Sequence, residues 1–175
     1  MPFHHHTEEL AGFAALVNGA TTQRAASSTF KGKVVKLGSN VDLNGIEWTA
    51  IGDPMSDGYV GFEGTFDGQG YKIANLTIDE PTAWGQGLFG YNTSKTTVIK
   101  NFTIENVSIN AEDTSAAVAG YFQFGTIENV DVTGDVAIKG AQHMGGIVGN
   151  GYYANFSNCT VDANEGSKIT ATSGS

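Results

Sequence analysis

The chain has a single cysteine, three prolines and one arginine among its 175 residues, and no apolar run approaches the length of a membrane span. Each scarcity excludes something. A lone Cys159 cannot support a disulfide framework, and its place in a repeated apolar frame marks it as a small hydrophobe rather than a nucleophile. A formal charge of −9, without clustered Lys or Arg, leaves no basic patch for phosphate and argues against nucleic acid or anionic membrane as partner. Apolar stretches well short of the ~20 residues needed to span a bilayer imply no membrane insertion. The segment Phe13 to Val17 is too short for the core of a secretion signal, and Met1-Pro2-Phe3 brings no basic leader. Residues 1–6, with His4-His5-His6, read as a tag-like or disordered N-terminus.

What is present is a repeat. Ile73-Ala74-Asn75-Leu76-Thr77-Ile78 recurs as Ile99-Lys100-Asn101-Phe102-Thr103-Ile104, as Ile127-Glu128-Asn129-Val130-Asp131-Val132 and as Phe156-Ser157-Asn158-Cys159-Thr160-Val161. The asparagines lie 26, 28 and 29 residues apart (101−75, 129−101, 158−129). A fixed period in the twenties is the signature of stacked units that bury their apolar faces against neighbours. Apolar residues fall at −2, +1 and +3 from each asparagine. The step from −2 to +1 is odd and would flip faces in a straight strand, so a bend is expected at the asparagine, which tolerates left-handed backbone. Strands one rung apart are ~4.8 Å from each other, so stacked amides are expected to bond as a ladder of Asn75, Asn101, Asn129 and Asn158.

A second column repeats in parallel: Gly87-Leu88-Phe89-Gly90, Ala117-Val118-Ala119-Gly120 and Gly146-Ile147-Val148-Gly149. Glycine there fits either a tight corner or a close backbone approach. Further strands are expected near Val107–Ile109 and Val136–Ile138. The 24 glycines and many Val, Ile, Thr, Asn and Phe residues suit short strands separated by turns. The fold expected is all-β: a single-stranded parallel β-helix, right-handed as parallel crossovers are. Thr7 is the expected N-cap of one amphipathic helix, with Glu8 and Glu9 in its first turn and Leu10, Phe13, Ala14 and Val17 on one face. Asn18-Gly19 should end it as a left-handed C-cap, and its natural place is over the open terminal coil. One domain, residues 7–175, therefore comprises a capping helix (7–19), irregular first coils (30–70) and regular coils (71–175).

These motifs resemble the GLUG-motif repeat family of bacterial surface proteins. Gly87-Leu88-Phe89-Gly90 meets the Gly-Leu-hydrophobic-Gly signature, Gly146 to Gly149 nearly meets it, and Ala117 to Gly120 departs at its first position. The leading segments Val41-Asp42-Leu43-Asn44-Gly45, Trp48, Ile51-Gly52 and Gly64-Thr65-Phe66-Asp67-Gly68-Gln69-Gly70 are also similar to the front of such proteins. The resemblance covers roughly residues 7 to 165. It implies a right-handed β-helix in secreted or surface-attached bacterial proteins, adhesins among them, and supplies no catalytic residues.

No catalytic constellation is expected, and no cofactor. Phe66-Asp67-Gly68-Gln69-Gly70 resembles the opening of polygalacturonase-like helices, but that chemistry needs paired carboxylates on one face. The Asn-Thr-Asp, Asp-Asp, Gly-His-Gly and Arg-x-Lys elements of such enzymes are missing. Asp42, Glu47, Asp53, Asp57, Glu63 and Asp67 offer oxygen ligands for Ca²⁺, against the commoner use of turn carboxylates as backbone caps. His143 reads as an ordinary surface residue. Six Asn-x-Ser/Thr sequons, at Asn75, Asn92, Asn101, Asn106, Asn155 and Asn158, are read as by-products of a repeat with inward asparagines. Loss of Asn92 is expected to cost far less than loss of Asn101. The aromatic residues Trp84, Tyr91, Tyr121, Tyr152 and Tyr153 lie near the Gly-x-x-Gly columns, with Trp48 and Tyr59 in front loops. Rings projecting from successive rungs would suit stacking on a host glycan or a surface protein, and shielding of the solenoid's flank is the alternative. Lys168-Ile169-Thr170-Ala171 has no helix after it, which allows end-to-end self-association.

Overall fold

The computed structural model describes residues 4–19, 29–55 and 61–173. Arg24, Asp57, Tyr59 and the polar stretch from Ala20 to Ser28 lie outside them. The chain opens with helix α1, His4–Asn18, and continues as strands β1 Val34–Lys36, β2 Val41–Asp42, β3 Thr65–Asp67, β4 Lys72–Trp84, β5 Phe89–Asn92 and β6 Val98–Ala116. Then follow β7 Ala119–Gln123, β8 Thr126–Gly140, β9 Gln142–Gly145, β10 Val148–Tyr152, β11 Asn155–Ala163 and β12 Lys168–Ala171. All pairings among them are parallel, and the strands wind into a β-solenoid of about five turns.

Helix α1 begins at His4, three residues before the expected cap, so residues 4–6 are helical and Thr7 is an interior position. Thr7 is buried and its hydroxyl donates to the Asp42 carbonyl at 2.9 Å, a tertiary bond to the first coils. Gly19 does take the left-handed conformation, with φ of 72°. Leu10, Phe13, Ala14 and Val17 face the solenoid and are all buried. Phe13 meets Phe30 and Phe62 edge-on at 5.0 and 5.5 Å and stacks at 6.2 Å with Phe66 of the first coils. Asn18 locks the far end: its Nδ2 donates to the Ala50 carbonyl at 2.9 Å, and its Oδ1 accepts from the Gly52 and Asp53 amides. The helix thus covers core that the first coil would otherwise expose.

Three apolar columns run the length of the stack. Val35, Phe66, Ile99, Ile127 and Phe156 form one, with steps of 31, 33, 28 and 29 residues (66−35, 99−66, 127−99, 156−127). Val41, Ile73, Ile104, Val132 and Val161 form a second, and Ile78, Ile109, Ile138 and Ile169 a third. Interior members such as Ile73, Ile99, Ile104 and Ile127 are completely buried. Full burial of an aliphatic side chain contributes about 1.5–3 kcal/mol, so the columns are the main source of stability.

The bends sit where the odd spacing requires them. Asn75, Asn101, Asn106, Asn129 and Asn158 all have φ between 49 and 60°. The −2, +1 and +3 positions around Asn101 and Asn129 are consequently all buried.

The register differs from the expected one at its first step. Ile73 pairs with Ile104, not with Ile99, and Leu76 with Val107. Each long strand turns two corners, and the frame around Asn101 is repeated five residues later around Asn106. Asn75 belongs to the second corner, with Asn106, while Asn101, Asn129 and Asn158 share the first. Thr77 accordingly aligns with Ser108 and Ala137, apart from the column of Thr103, Asp131 and Thr160.

The Gly-x-x-Gly segments feed a separate three-stranded sheet, β5–β7–β10. Of the two roles open to glycine there, close approach is the one used. A Cβ on Gly120 would fall 2.4 Å from the carbonyl carbon of Gly85, and one on Gly149 would fall 2.5 Å from the Ser115 nitrogen.

Candidate functional site

Two kinds of corner distinguish the faces of the solenoid. At the first two corners the left-handed residue is asparagine or glycine, for which that backbone is easy, with Gln69 the exception in the coil between β3 and β4. At the two corners flanking the β5–β7–β10 sheet it is often bulky. Gly85, Thr114 and His143 occupy one edge, and Phe124 and Tyr153 the other, with φ of 63 and 52° for the two aromatics. A bulky residue in left-handed backbone costs on the order of 1–2 kcal/mol.

The outer side of this sheet is aromatic. Tyr91 and Tyr121 are paired across one rung and stack at 5.1 Å with 20° between the rings, and Trp84 packs edge-on against Tyr91 at 5.7 Å. The next rung places Asn150 opposite Tyr121. At the sheet edge Phe124 and Tyr153 are nearly parallel, 6.0 Å apart at 11°, and Tyr152 meets Tyr153 edge-on at 4.7 Å. Lys95 Nζ lies 5.0 Å above the Phe124 ring. Tyr152 and Tyr153 are 52 % and 76 % exposed, whereas Trp84, Tyr91 and Tyr121 are half-buried. The five aromatics singled out in the sequence therefore form two neighbouring groups rather than one strip. Phe124 and Lys95 complete the second group and were missed; the only local sign was the alignment of Phe124 with Tyr153, 29 residues on (153−124). Trp48 is no part of the surface: it is buried, and its indole N–H donates to the Leu88 carbonyl at 3.1 Å.

The amides form two ladders instead of one. Asn101 donates to Asp67 at 3.0 Å, Asn129 to Asn101 at 3.0 Å and Asn158 to Asn129 at 3.1 Å. In the other ladder Asn75 donates to Asp42 at 2.8 Å and Asn106 to Asn75 at 3.2 Å, while the Asp135 amide donates to Asn106 at 3.0 Å. Asn75 is thus not a rung below Asn101. Nor do the asparagines point inward: Asn129 and Asn158 are exposed, and the ladders run along the outer edges of the corners. Each rests on an aspartate, which can only accept. At Asp67, burial alone would raise the carboxyl pKa. Bonds from the Gln69 amide and Asn101, with the charge of Lys100, outweigh it and hold the group below the usual carboxylate range.

Three other turn carboxylates are likewise engaged. Asp42 accepts from the Asn44 amide, Asp53 from the Met55 amide and from Gln86, and Glu63 lies 3.9 Å from Lys31. Among the described residues no group of three or more His, Cys, Asp or Glu side chains is placed to hold a metal ion. His143 Nδ1 sits 3.0 Å from Asp113 Oδ1 at the solvent-exposed corner. Cys159 is half-buried in the Val130 column, its thiol near the Ile127 and Ser157 carbonyls. Asn92 departs from expectation. It is buried, its Oδ1 accepts from the Thr97 hydroxyl at 2.8 Å, and its Nδ2 reaches the Gln123 carbonyl of the next coil at 3.3 Å.

Comparison with known proteins agrees with this architecture. Residues 140–165, which include Gly146 to Gly149 and Asn158, match the family described as the GLUG motif. The chain is 39 % identical over 88 residues to Halomucin of Haloquadratum walsbyi, an archaeon. That alignment takes in 50 % of this chain but 1 % of Halomucin. No solved structure matches the chain significantly. The chain thus carries a GLUG-motif coil and is similar, over half its length, to a small part of a very long archaeal protein.

Proposed function

We propose that the chain is a non-enzymatic β-helix module of an extracellular or surface-attached protein, a rigid stalk whose β5–β7–β10 face binds glycan or a partner protein by aromatic stacking. The GLUG match and the likeness to Halomucin support the surface-module part. The aromatic face carries the binding part, above all Phe124 and Tyr153. The chain holds these rings in a left-handed backbone conformation that asparagine fills at the ladder corners, and leaves Tyr153 largely exposed. Flat rings with a polar handle, beside the amide of Asn150 and the ammonium of Lys95, suit the alternating apolar and hydroxyl faces of a sugar. A stack of coils keeps them at fixed spacing, which reduces the ordering cost of binding.

An array of glycans and host glycoproteins, probed with the intact chain, tests this. Bound ligands should lose at least about fivefold affinity with Tyr121→Ala and with Tyr153→Ala, since a stacked ring contributes ~1–3 kcal/mol, and lose nothing with Lys139→Ala on another face. An empty array, or hits indifferent to both tyrosines, would overturn the binding claim. Incubation with polysaccharides should release no products.

A further inference from the structure

The last described coil repeats the chemistry of those before it, with its outer edge open among the described residues. Phe156, Val161 and Ile169 continue the three apolar columns, whose members one rung earlier, Ile127, Val132 and Ile138, are no more than 1 % exposed. Phe156, Val161 and Ile169 are themselves 47, 45 and 43 % exposed. The surface is therefore the continuation of an interface the chain already makes between each pair of its coils.

The amide ladders give that surface a polarity. Among the described residues, seven side-chain bonds between coils are donated by asparagine to another side chain: Asn75, Asn101, Asn106, Asn110, Asn129, Asn158 and Asn164 donate to Asp42, Asp67, Asn75, Asp79, Asn101, Asn129 and Asp135. In every one the donor lies on the later coil and the acceptor on the earlier. The aspartates at the base impose this. An ionised carboxylate cannot donate, so Asn75 and Asn101 must turn their NH₂ groups toward it and present Oδ1 to the coil above. The orientation then propagates rung by rung. The ladders present acceptors outward at both ends: the carboxylate of Asp42 at the first coil, amide oxygens of Asn158 and Asn164 at the last described one, with Asp67 buried one rung in beneath β1.

We infer that the C-terminal edge is a template for one more coil of this repeat, a parallel segment with aliphatic residues in the three columns and an N–H donor, asparagine by preference, at each of the two corners. A second copy does not fit. Its N-terminal end is covered by α1 and offers the exposed carboxylate of Asp42, so stacking head to tail would meet the helix and set acceptor against acceptor at that corner; meeting tail to tail would set Asn158 and Asn164 oxygens against each other. Growth is thus one-directional.

The test uses the intact chain and a synthetic peptide spanning residues 155–171, the repeat's own coil sequence. Hydrogen exchange of the β11 and β12 amides should slow at least about tenfold on adding the peptide. A peptide with its corner asparagines at 158 and 164 replaced by aspartate, which retains shape but cannot donate, should protect at least about fivefold less. Protection equal for the two peptides, absence of protection at millimolar peptide, or a concentration-dependent dimer that shields β11 and β12 without peptide would each overturn the inference. None of these readouts depends on whether the aromatic face binds a ligand.

Discussion

The two ends of the stack are built from the same columns and behave oppositely. At the N-terminal end Val41 is 3 % exposed, and Phe66, one rung in from half-buried Val35, is fully buried against Phe13 of α1; at the C-terminal end their column partners Phe156 and Val161 stand nearly half in solvent. The difference lies in the neighbour, not in the residue. In a solenoid a side chain's contribution is set by whether a coil lies on both of its sides, so one sequence pattern yields a rigid interior and a soft edge.

The sharpest way to break the comparison is to truncate one column beneath the helix and at its last described coil. Phe66→Ala should cost about 3–5 kcal/mol, as for a large ring removed from a packed core, whereas Phe156→Ala should cost less than about 1.5 kcal/mol because little burial is lost. Denaturant midpoints measure both, and equal losses would mean that the last coil is as well packed as the first. Next in size is Asn92→Ala, expected at about 2 kcal/mol, since it empties a buried site and removes the bond to the Gln123 carbonyl of the neighbouring coil, while the Thr97 hydroxyl keeps the Phe62 carbonyl at 2.6 Å. The structure therefore reverses the ranking that spacing alone suggests: Asn92 should exceed Asn101, whose loss should cost about 1 kcal/mol in its half-exposed ladder. Thermal melts of the two variants decide the order.

Within the ladder, Asn101→Ala should in turn exceed Asn158→Ala, expected at no more than about 0.5 kcal/mol, because only Asn101 is bonded on both sides. The smallest effect concerns acid. The carboxyl of Asp67 titrates below its unfolded value, so its stabilising contribution is complete above the ordinary pKa of about 3.9 and is lost as pH falls through the depressed folded one. Asp67→Asn retains an oxygen for Asn101 but cannot titrate. Between about pH 6 and pH 2.5 the parent chain should lose more stability than the variant, and parallel curves would remove Asp67 from the acid response.

The corners were legible in the sequence because they are local. An odd step between apolar positions demands a bend, and asparagine takes the left-handed backbone that bend needs. The register was not legible for a specific reason: Ile99-Lys100-Asn101-Phe102-Thr103-Ile104 is followed at once by Ile104-Glu105-Asn106-Val107-Ser108-Ile109, so the frame around Asn75 fits either corner equally well. Of the candidate binding face, Trp84, Tyr91, Tyr121, Tyr152 and Tyr153 could be picked out by type. Lys95 and Phe124 join them through approach across a corner, which no spacing rule predicts. The start of α1 was misplaced because Thr7 looks like a cap until Asp42 is brought beside it.

By itself, then, the sequence determined that the chain coils with a period near 30, bends at its asparagines, alternates apolar and polar faces between bends and covers one end with a helix, all of which follow from backbone preference and side-chain polarity within a few residues. Only the tertiary structure decided which corner stands above which, that each ladder rests on an aspartate, and that identical columns are dry at one end and wet at the other. Those outcomes depend on the surface a neighbouring coil presents, and that neighbour lies some thirty residues away along the chain.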